Sequence, residues 1–481
     1  MKEGSITVFF CLFMVVCLGI TGALLEGSRL YGARAVFTMC CKTASDSVQA
    51  SYNRELWEKY GLLLWDGEAG ADNQELLAEE YEEWLEEELA PAWYGLYLYG
   101  MSVEQVRVKE YHTLLEDGGI YMLQQMLDAE EGDSSSILLE YMNELIAFLP
   151  SISLPDSGFS LDALLEEFTV WAVLPKDTVV SAYEIAQENL PSAELSYGCR
   201  ETVLEKLLAN QYIIEQFDSY TDGQKEGICY QIEYILNGAE EDSLNLVSAA
   251  RKLIHFRTGL NFIKILSEGS MQEVADAAAA LIAAALTIPE AQEIVKLLVE
   301  AAWAYGEAIQ DVQDLYEGKC IPLQKETSDW HLWIHPPEQF TRELPPVDLG
   351  SVGSVIEDWL ESREKEETVQ SQEQTEADCE KTVMECLADG KWNYECYLYL
   401  LLYFLDPKLQ LGRTMDLIQV ELSQKYPWFS LGNCCAGFTL ETEAYIKPVF
   451  SSLSIQSGIR FGGKILVEET TVRFSDGLQG I

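Results

Sequence analysis

The chain has 481 residues, 48% of them hydrophobic, and its 31 Lys and Arg face 80 Asp and Glu, for a net charge of −49. That balance excludes nucleic acid as a partner, because phosphates are met by Lys and Arg, and it argues equally against a face lying on anionic lipid. The length suits roughly two or three domains, and the apolar fraction is ordinary for a chain that buries a core.

Residues Ile6–Leu25 read ITVFFCLFMVVCLGITGALL and carry no charge. A helix rising about 1.5 Å per residue covers the roughly 30 Å of a bilayer core in that length. A cleaved secretory signal has a basic start, an apolar run of about 7–15 residues and a small-x-small site. Here the start is Met1-Lys2-Glu3-Gly4, the run is longer, and Glu26-Gly27-Ser28-Arg29 follows. The expectation is a retained anchor whose partner is the lipid bilayer through residues 6–25. Lys2 and the α-amino group on one side nearly balance Arg29 and Arg34 on the other, so charge does not set the orientation.

The helix is expected to continue as a stem over residues 26–60. No Pro interrupts Gly27–Tyr60, and Leu30, Ala33, Phe37, Cys41, Ala44, Val48 and Tyr52 recur every three or four residues, which marks one apolar face. The alternative is two helices with a break near Gly32.

Gly4-Ser5-Ile6-Thr7-Val8 before the span, Leu25-Glu26-Gly27-Ser28-Arg29-Leu30-Tyr31 after it, and Ala33-Arg34-Ala35 beyond resemble the N-terminus of TadE/TadG-like proteins. Those are pilin-like membrane proteins of tight-adherence (Flp-type) pilus loci. The chain resembles more fully an uncharacterised bacterial family, a domain of unknown function, that shares this start. The further segments are Tyr52–Leu62, Tyr230–Gly238, Arg257-Thr258-Gly259-Leu260-Asn261-Phe262 and Ala301–Ala308. The resemblance implies a cytoplasmic tail at residues 1–5, a single-pass protein of the cell membrane and an extracytoplasmic bulk. It implies no chemistry. Prepilins carry Glu five residues after the processing Gly, whereas the fifth residue after Gly4 is Phe9, which argues against processing there.

The bulk reads as mainly α with minor β, an α+β fold. Residues 61–236 form a mixed region. Gly61–Gly67 resembles a short strand, Asn73–Leu89 a Glu-rich helix whose charges form a solvated face, and Val103–Leu115 a strand passing into helix. Helices are expected at Tyr121–Ala129, Ser136–Phe148, Leu161–Val173 and Tyr197–Phe217, and a strand at Ile228–Leu236. Residues 237–349 read as a helical bundle, with Ala277–Leu286 as a core helix. Residues 350–378 read as an acidic flexible linker. Residues 379–481 give paired helices at Cys379–Leu387 and Asn393–Leu405, another at Gly412–Tyr426, and strands at Phe438–Val449 and Ile459–Phe474.

Chemistry is sparse. His331-Leu332-Trp333-Ile334-His335 offers the only candidate metal ligands, His331 and His335. Pro336-Pro337 argues against the helix that would bring them together, and the alternative is packing on a strand. Vicinal Cys40-Cys41 and Cys434-Cys435 are either bridged elsewhere or buried thiols, since adjacent cysteines rarely bridge each other. No CxxC pair, nucleophile elbow, P-loop or dinucleotide fingerprint stands in a fitting context. No catalytic residue, cofactor or bound metal is expected. The best reading is a structural or accessory protein of a pilus-like or secretion assembly, with pilin-like or secretion-platform partners. The alternatives are a tethered enzyme acting on cell-wall polymer or peptide, and an acidic module binding cations or a basic partner.

Overall fold

The computed structural model describes residues 3–90, 99–130, 190–222, 228–285, 292–333, 382–449 and 464–474. In chain order its main helices are α1 (Glu3–Ala50), α2 (Arg54–Tyr60), α3 (Asn73–Leu89), α4 (Ile120–Glu130), α5 (Val203–Gln216) and α6 (Gln231–Asn237). There follow α7 (Asp242–Ser267), α8 (Gly269–Ala285), α9 (Gln292–Tyr316), α10 (Val383–Asp389), α11 (Tyr394–Tyr403) and α12 (Pro407–Lys425). The strands are β1 (Met101–Thr113), β2 (Ile321–Pro322), β3 (Lys391–Trp392), β4 (Cys435–Ile446) and β5 (Lys464–Arg473). The chain is mainly helical with a few antiparallel strands. It divides into two compact units, one made of Met1–Ala129, Asn189–Cys199 and Met415–Ile481, the other of Glu130–Glu188 and Arg200–Thr414.

The first unit is organised on α1, which runs unbroken through Gly32. From Ile6 to Leu25 its large apolar side chains are exposed, and this part is long and apolar enough to cross a membrane. Further on, Ala33, Phe37, Cys41, Ala44 and Val48 are fully buried at the spacing the sequence gives. They pack with Leu77, Tyr81 and Leu85 of α3 and with Phe438, Leu440, Ala444, Ile446, Leu466 and Val472 of the sheet. Each such large side chain contributes about 1.5–3 kcal/mol by leaving water. The sheet has the order β1-β4-β5, all antiparallel. Val108 stands opposite Leu440, and Leu440 opposite Thr470.

A charged clamp sits where the exposed apolar part of α1 gives way to the buried part. Arg29 is 5% exposed and Glu26 1%, and their side chains meet at 2.5 Å. Arg29 also donates to the carbonyls of Tyr99 at 3.1 Å and Lys447 at 2.8 Å, the residues flanking the start of β1 and the end of β4. A Cβ at Gly32 would lie 2.8 Å from the Tyr99 hydroxyl, so a larger residue there would have to displace the Tyr99 ring.

Several elements differ from the sequence reading. The stem helix stops at Ala50, and Asn53 caps a separate α2 by accepting from the Leu56 amide at 2.9 Å. Gly61–Gly67 forms no strand; within it Trp65 makes a single bridge to Cys435. Ile228–Leu236 is not a strand either, for α6 occupies Gln231–Asn237. Ile232 to Leu236 are all buried, so neither a helical stripe nor an alternation marks them. In α8 Ala275, Ala279 and Ala283 are buried, but Leu281 and Ile282 face outward. In α3 the sequence reading buries Leu76, Leu77, Tyr81, Trp84, Leu85 and Leu89 as one stripe, but Trp84 is 39% exposed. The expected helices at Ser136–Phe148 and Leu161–Val173 and the linker lie outside the described residues.

Candidate functional site

The densest polar cluster lies in the second unit, between α7, α9 and the segment after β2. On α9, Trp303, Glu307, Asp311 and Asp314 follow one another at spacings of four, four and three, so they share a face. All four are buried. Carboxylates on such a face must find donors, because an unpaired buried charge costs several kcal/mol.

Asp311 finds Arg257 of α7. Both side chains are fully buried, and the guanidinium reaches Asp311 at 2.7 Å. Arg257 also donates to the carbonyls of Pro322 at 3.0 Å and Leu323 at 3.1 Å, and to the Tyr397 hydroxyl of α11 at 3.1 Å. Asn261, one turn along α7, donates to Asp311 at 3.0 Å. One buried arginine thus ties two long helices, a strand and α11 together.

Glu307 captures the chain that follows β2. It accepts from the backbone amides of His331 at 3.0 Å and Leu332 at 2.8 Å, and from the ammonium of Lys325. Lys325 also donates to Asp311 at 2.6 Å. The ring of His331 lies between two carboxylates, with Nδ1 3.1 Å from Glu307 and Nε2 2.9 Å from Asp314. Both nitrogens then donate, and the ring is an imidazolium. Its 3.4 Å approach to Lys325 is a contact of two cations rather than a hydrogen bond. Trp303 donates from its indole to the Leu332 carbonyl at 2.7 Å and meets Trp330 edge-on at 5.6 Å. A Cβ at Gly306 would lie 2.8 Å from Leu332, so glycine admits the segment against α9.

The electrostatics follow from these contacts. Hydrogen bonds to Asp314 and Glu307 hold the His331 ring up at about 9 against burial and the Lys325 charge. Burial pushes Glu307 up, but hydrogen bonds from His331 and the charge of Lys325 prevail and hold it at about 2. His331 therefore contributes stability that is complete below its ordinary value of 6.5 and is lost as the pH rises through about 9. Glu307 contributes stability complete above its ordinary 4.5 and lost as the pH falls through about 2. The wild-type melting temperature should fall between pH 6.5 and 9 more than that of His331→Gln, read by tryptophan fluorescence. Equal slopes would separate His331 from the network.

The ligand atoms of Glu307, Asp311 and His331 lie within 4.8 Å of one another, a spacing that could hold a metal ion. Lys325 already bonds to Glu307 and to Asp311, so its ammonium takes the central position. A doubly protonated His331 has no lone pair to give a metal. His335, its expected companion, lies outside the described residues. The cleft lined by Gly70, Asp72, Asn73, Gln74, Tyr111, Thr113 and Asn433, with a volume of about 470 Å³, contains none of these groups.

Both vicinal cysteine pairs are buried. Burial pushes the thiols of Cys41 and Cys435 up to about 12, and raises Cys40 and Cys434 as well. Such thiols are protonated and inert at neutral pH. Cys320 is disulfide-bonded.

Residues 160–446 match the model of a family of unknown function, DUF5702. The match covers more than half of the chain, and the chain belongs to that family. No curated protein and no solved structure matches it. The matched stretch contains every residue of the ion network.

Proposed function

We propose that this protein is a single-pass, membrane-anchored, pilin-like surface protein of the TadE/TadG-like type, with its bulk outside the cytoplasm. Its role is structural or accessory in a tight-adherence-type pilus or secretion assembly. The observation that carries this reading is α1, one helix whose first half is apolar and exposed and whose second half is buried against an antiparallel sheet. A helix of that kind transmits position from a bilayer to a folded head without a hinge. The disulfide at Cys320 supports the orientation, since such bonds persist in oxidising compartments.

The ion network is read as a lock without catalytic, cofactor or metal role. Its carboxylates are already saturated by Lys325, Arg257, His331 and backbone amides, which leaves no base to take a proton and no nucleophile to attack. Protease shaving of intact cells should release peptides from beyond residue 60, and crosslinking in the same cells should recover pilin-like or assembly-platform proteins. Protection of the whole bulk refutes the orientation. Released peptides without such partners refute the assembly role.

A further inference from the structure

Cys386 and Cys396 stand on consecutive short helices of the second unit, α10 and α11, separated by the turn at Gly390 and the strand β3. Thr382 caps α10 by accepting from Glu385, and Asn393 caps α11 by accepting from the Cys396 amide at 3.0 Å. These caps fix the start of each helix, and with it the direction of each cysteine. Cys396 Sγ lies 3.7 Å from the carbonyl oxygen of Val383, on the turn of α10 that also carries Cys386. The Cys386 side chain reaches Cys396 within hydrogen-bonding range. Cys386 is 0% exposed and Cys396 1%.

We propose that Cys386 and Cys396 close a disulfide in the mature protein, in addition to the one that engages Cys320. The thiols of the vicinal pairs have other surroundings: Cys434 donates to the Ser430 carbonyl at 3.5 Å and Cys435 to the Gly437 carbonyl at 3.1 Å. Cys396, by contrast, has the thiol of Cys386 as a side-chain partner. The bond would staple α10 to α11, the helix whose Tyr397 accepts from Arg257.

The step is thiol–disulfide exchange. One cysteine thiolate attacks a donor disulfide, forms a mixed disulfide and releases one donor thiol. The second cysteine thiolate then attacks the mixed disulfide and releases the other donor thiol. The pair loses two protons and two electrons, and the electrons reduce the donor disulfide to two thiols. In the test the donor is oxidised glutathione; in the cell it is the disulfide of an extracytoplasmic thiol oxidase. Burial keeps Cys396 protonated in the folded protein, so the exchange takes place while the chain folds, before the sulfurs are enclosed. Use of the bond in the cell rests on the extracytoplasmic reading above; the pairing itself does not.

The test is refolding of the reduced full chain in detergent with a glutathione redox buffer, then alkylation and non-reducing tryptic digestion. Peptides Thr382–Lys391 and Trp392–Lys408 should run as one linked species. Cys386→Ala and Cys396→Ala should each lower the melting temperature by roughly 5–10 °C, and the double variant should fall no further, because either change removes the same bond. Alkylation of both cysteines while Cys320 is linked overturns the proposal, as do additive losses in the double variant. The same digestion on protein alkylated in intact cells separates the two readings. The pair linked after refolding but every cysteine alkylated in cells upholds the pairing and refutes the extracytoplasmic location.

Discussion

Arg257→Met should destabilise the second unit by about 3–5 kcal/mol, the usual cost of removing one partner from a buried ion pair. At about 2–4 °C per kcal/mol for a unit of this size, melting falls by roughly 6–20 °C. The change strands Asp311, which is fully buried, with Lys325 and Asn261 as its remaining donors. It also orphans the carbonyls of Pro322 and Leu323 and the Tyr397 hydroxyl. Arg257→Lys should rescue little, since a point charge cannot serve Asp311, the Pro322 and Leu323 carbonyls and the Tyr397 hydroxyl at once. The double variant Arg257→Met with Asp311→Leu should recover part of the loss, because apolar replacement of a whole buried pair is often neutral. Trp303 and Trp330, seated against the captured segment, report the transition by fluorescence. A single variant within 1 kcal/mol of wild type would show that the arginine is not the tie between these elements.

How legible this was in the sequence depends on what each element packs against. The bounds of α3 were read to the residue, though not the burial of Trp84, because one face is wet: Leu77, Tyr81 and Leu85 are buried while its glutamates largely face solvent, so the period shows. β4 and β5 were found within a few residues of their ends, because turn chemistry and alternation bracket them. α6 was misread because it is buried all round. The stem was read as one helix to Tyr60, and it ends ten residues earlier because Asn53 offers the backbone a cap that periodicity does not register. The ion network was missed as chemistry. Its signal was present, for Glu307, Asp311 and Asp314 fall on the stripe of Trp303, where an apolar face should carry apolar residues. What the sequence could not supply were the partners. Arg257 is 54 residues from Asp311, and Lys325 and His331 reach Glu307 by a chain reversal that no local pattern encodes.

The two halves of α1 solve opposite problems with the same backbone. Between its ends a helix satisfies its own backbone amides, which suits both a bilayer and a core. The division lies at Glu26 and Arg29. A buried charged pair is a poor source of stability but a good source of register, because Arg29 can reach the Tyr99 and Lys447 carbonyls from one turn of the helix only. The clamp therefore sets how far the stem slides along the sheet.

Removal of residues 1–25 should move the protein from the membrane to the soluble fraction while leaving its fold intact. Twelve of the residues from Ile6 to Leu25 are Ile, Val, Leu or Phe. At about 0.3–0.6 kcal/mol each in favour of insertion, they supply about 4–7 kcal/mol. Among the described residues no other helix is long and apolar enough to cross a membrane, and only 11% of the most apolar window is buried within the protein. The truncated chain keeps Glu26, Arg29 and the whole docking face from Ala33 to Val48, so its melting temperature should stay within a few degrees of the full chain in detergent. Replacing Phe37 by Ala in the same truncated chain removes a fully buried ring and should cost about 3–5 kcal/mol, which shows that the assay detects damage to the stem. The readouts are carbonate extraction of membranes and thermal melting. Retention of the truncated chain in carbonate-washed membranes would place the anchor elsewhere, and loss of its fold would make residues 6–25 part of the core rather than a span.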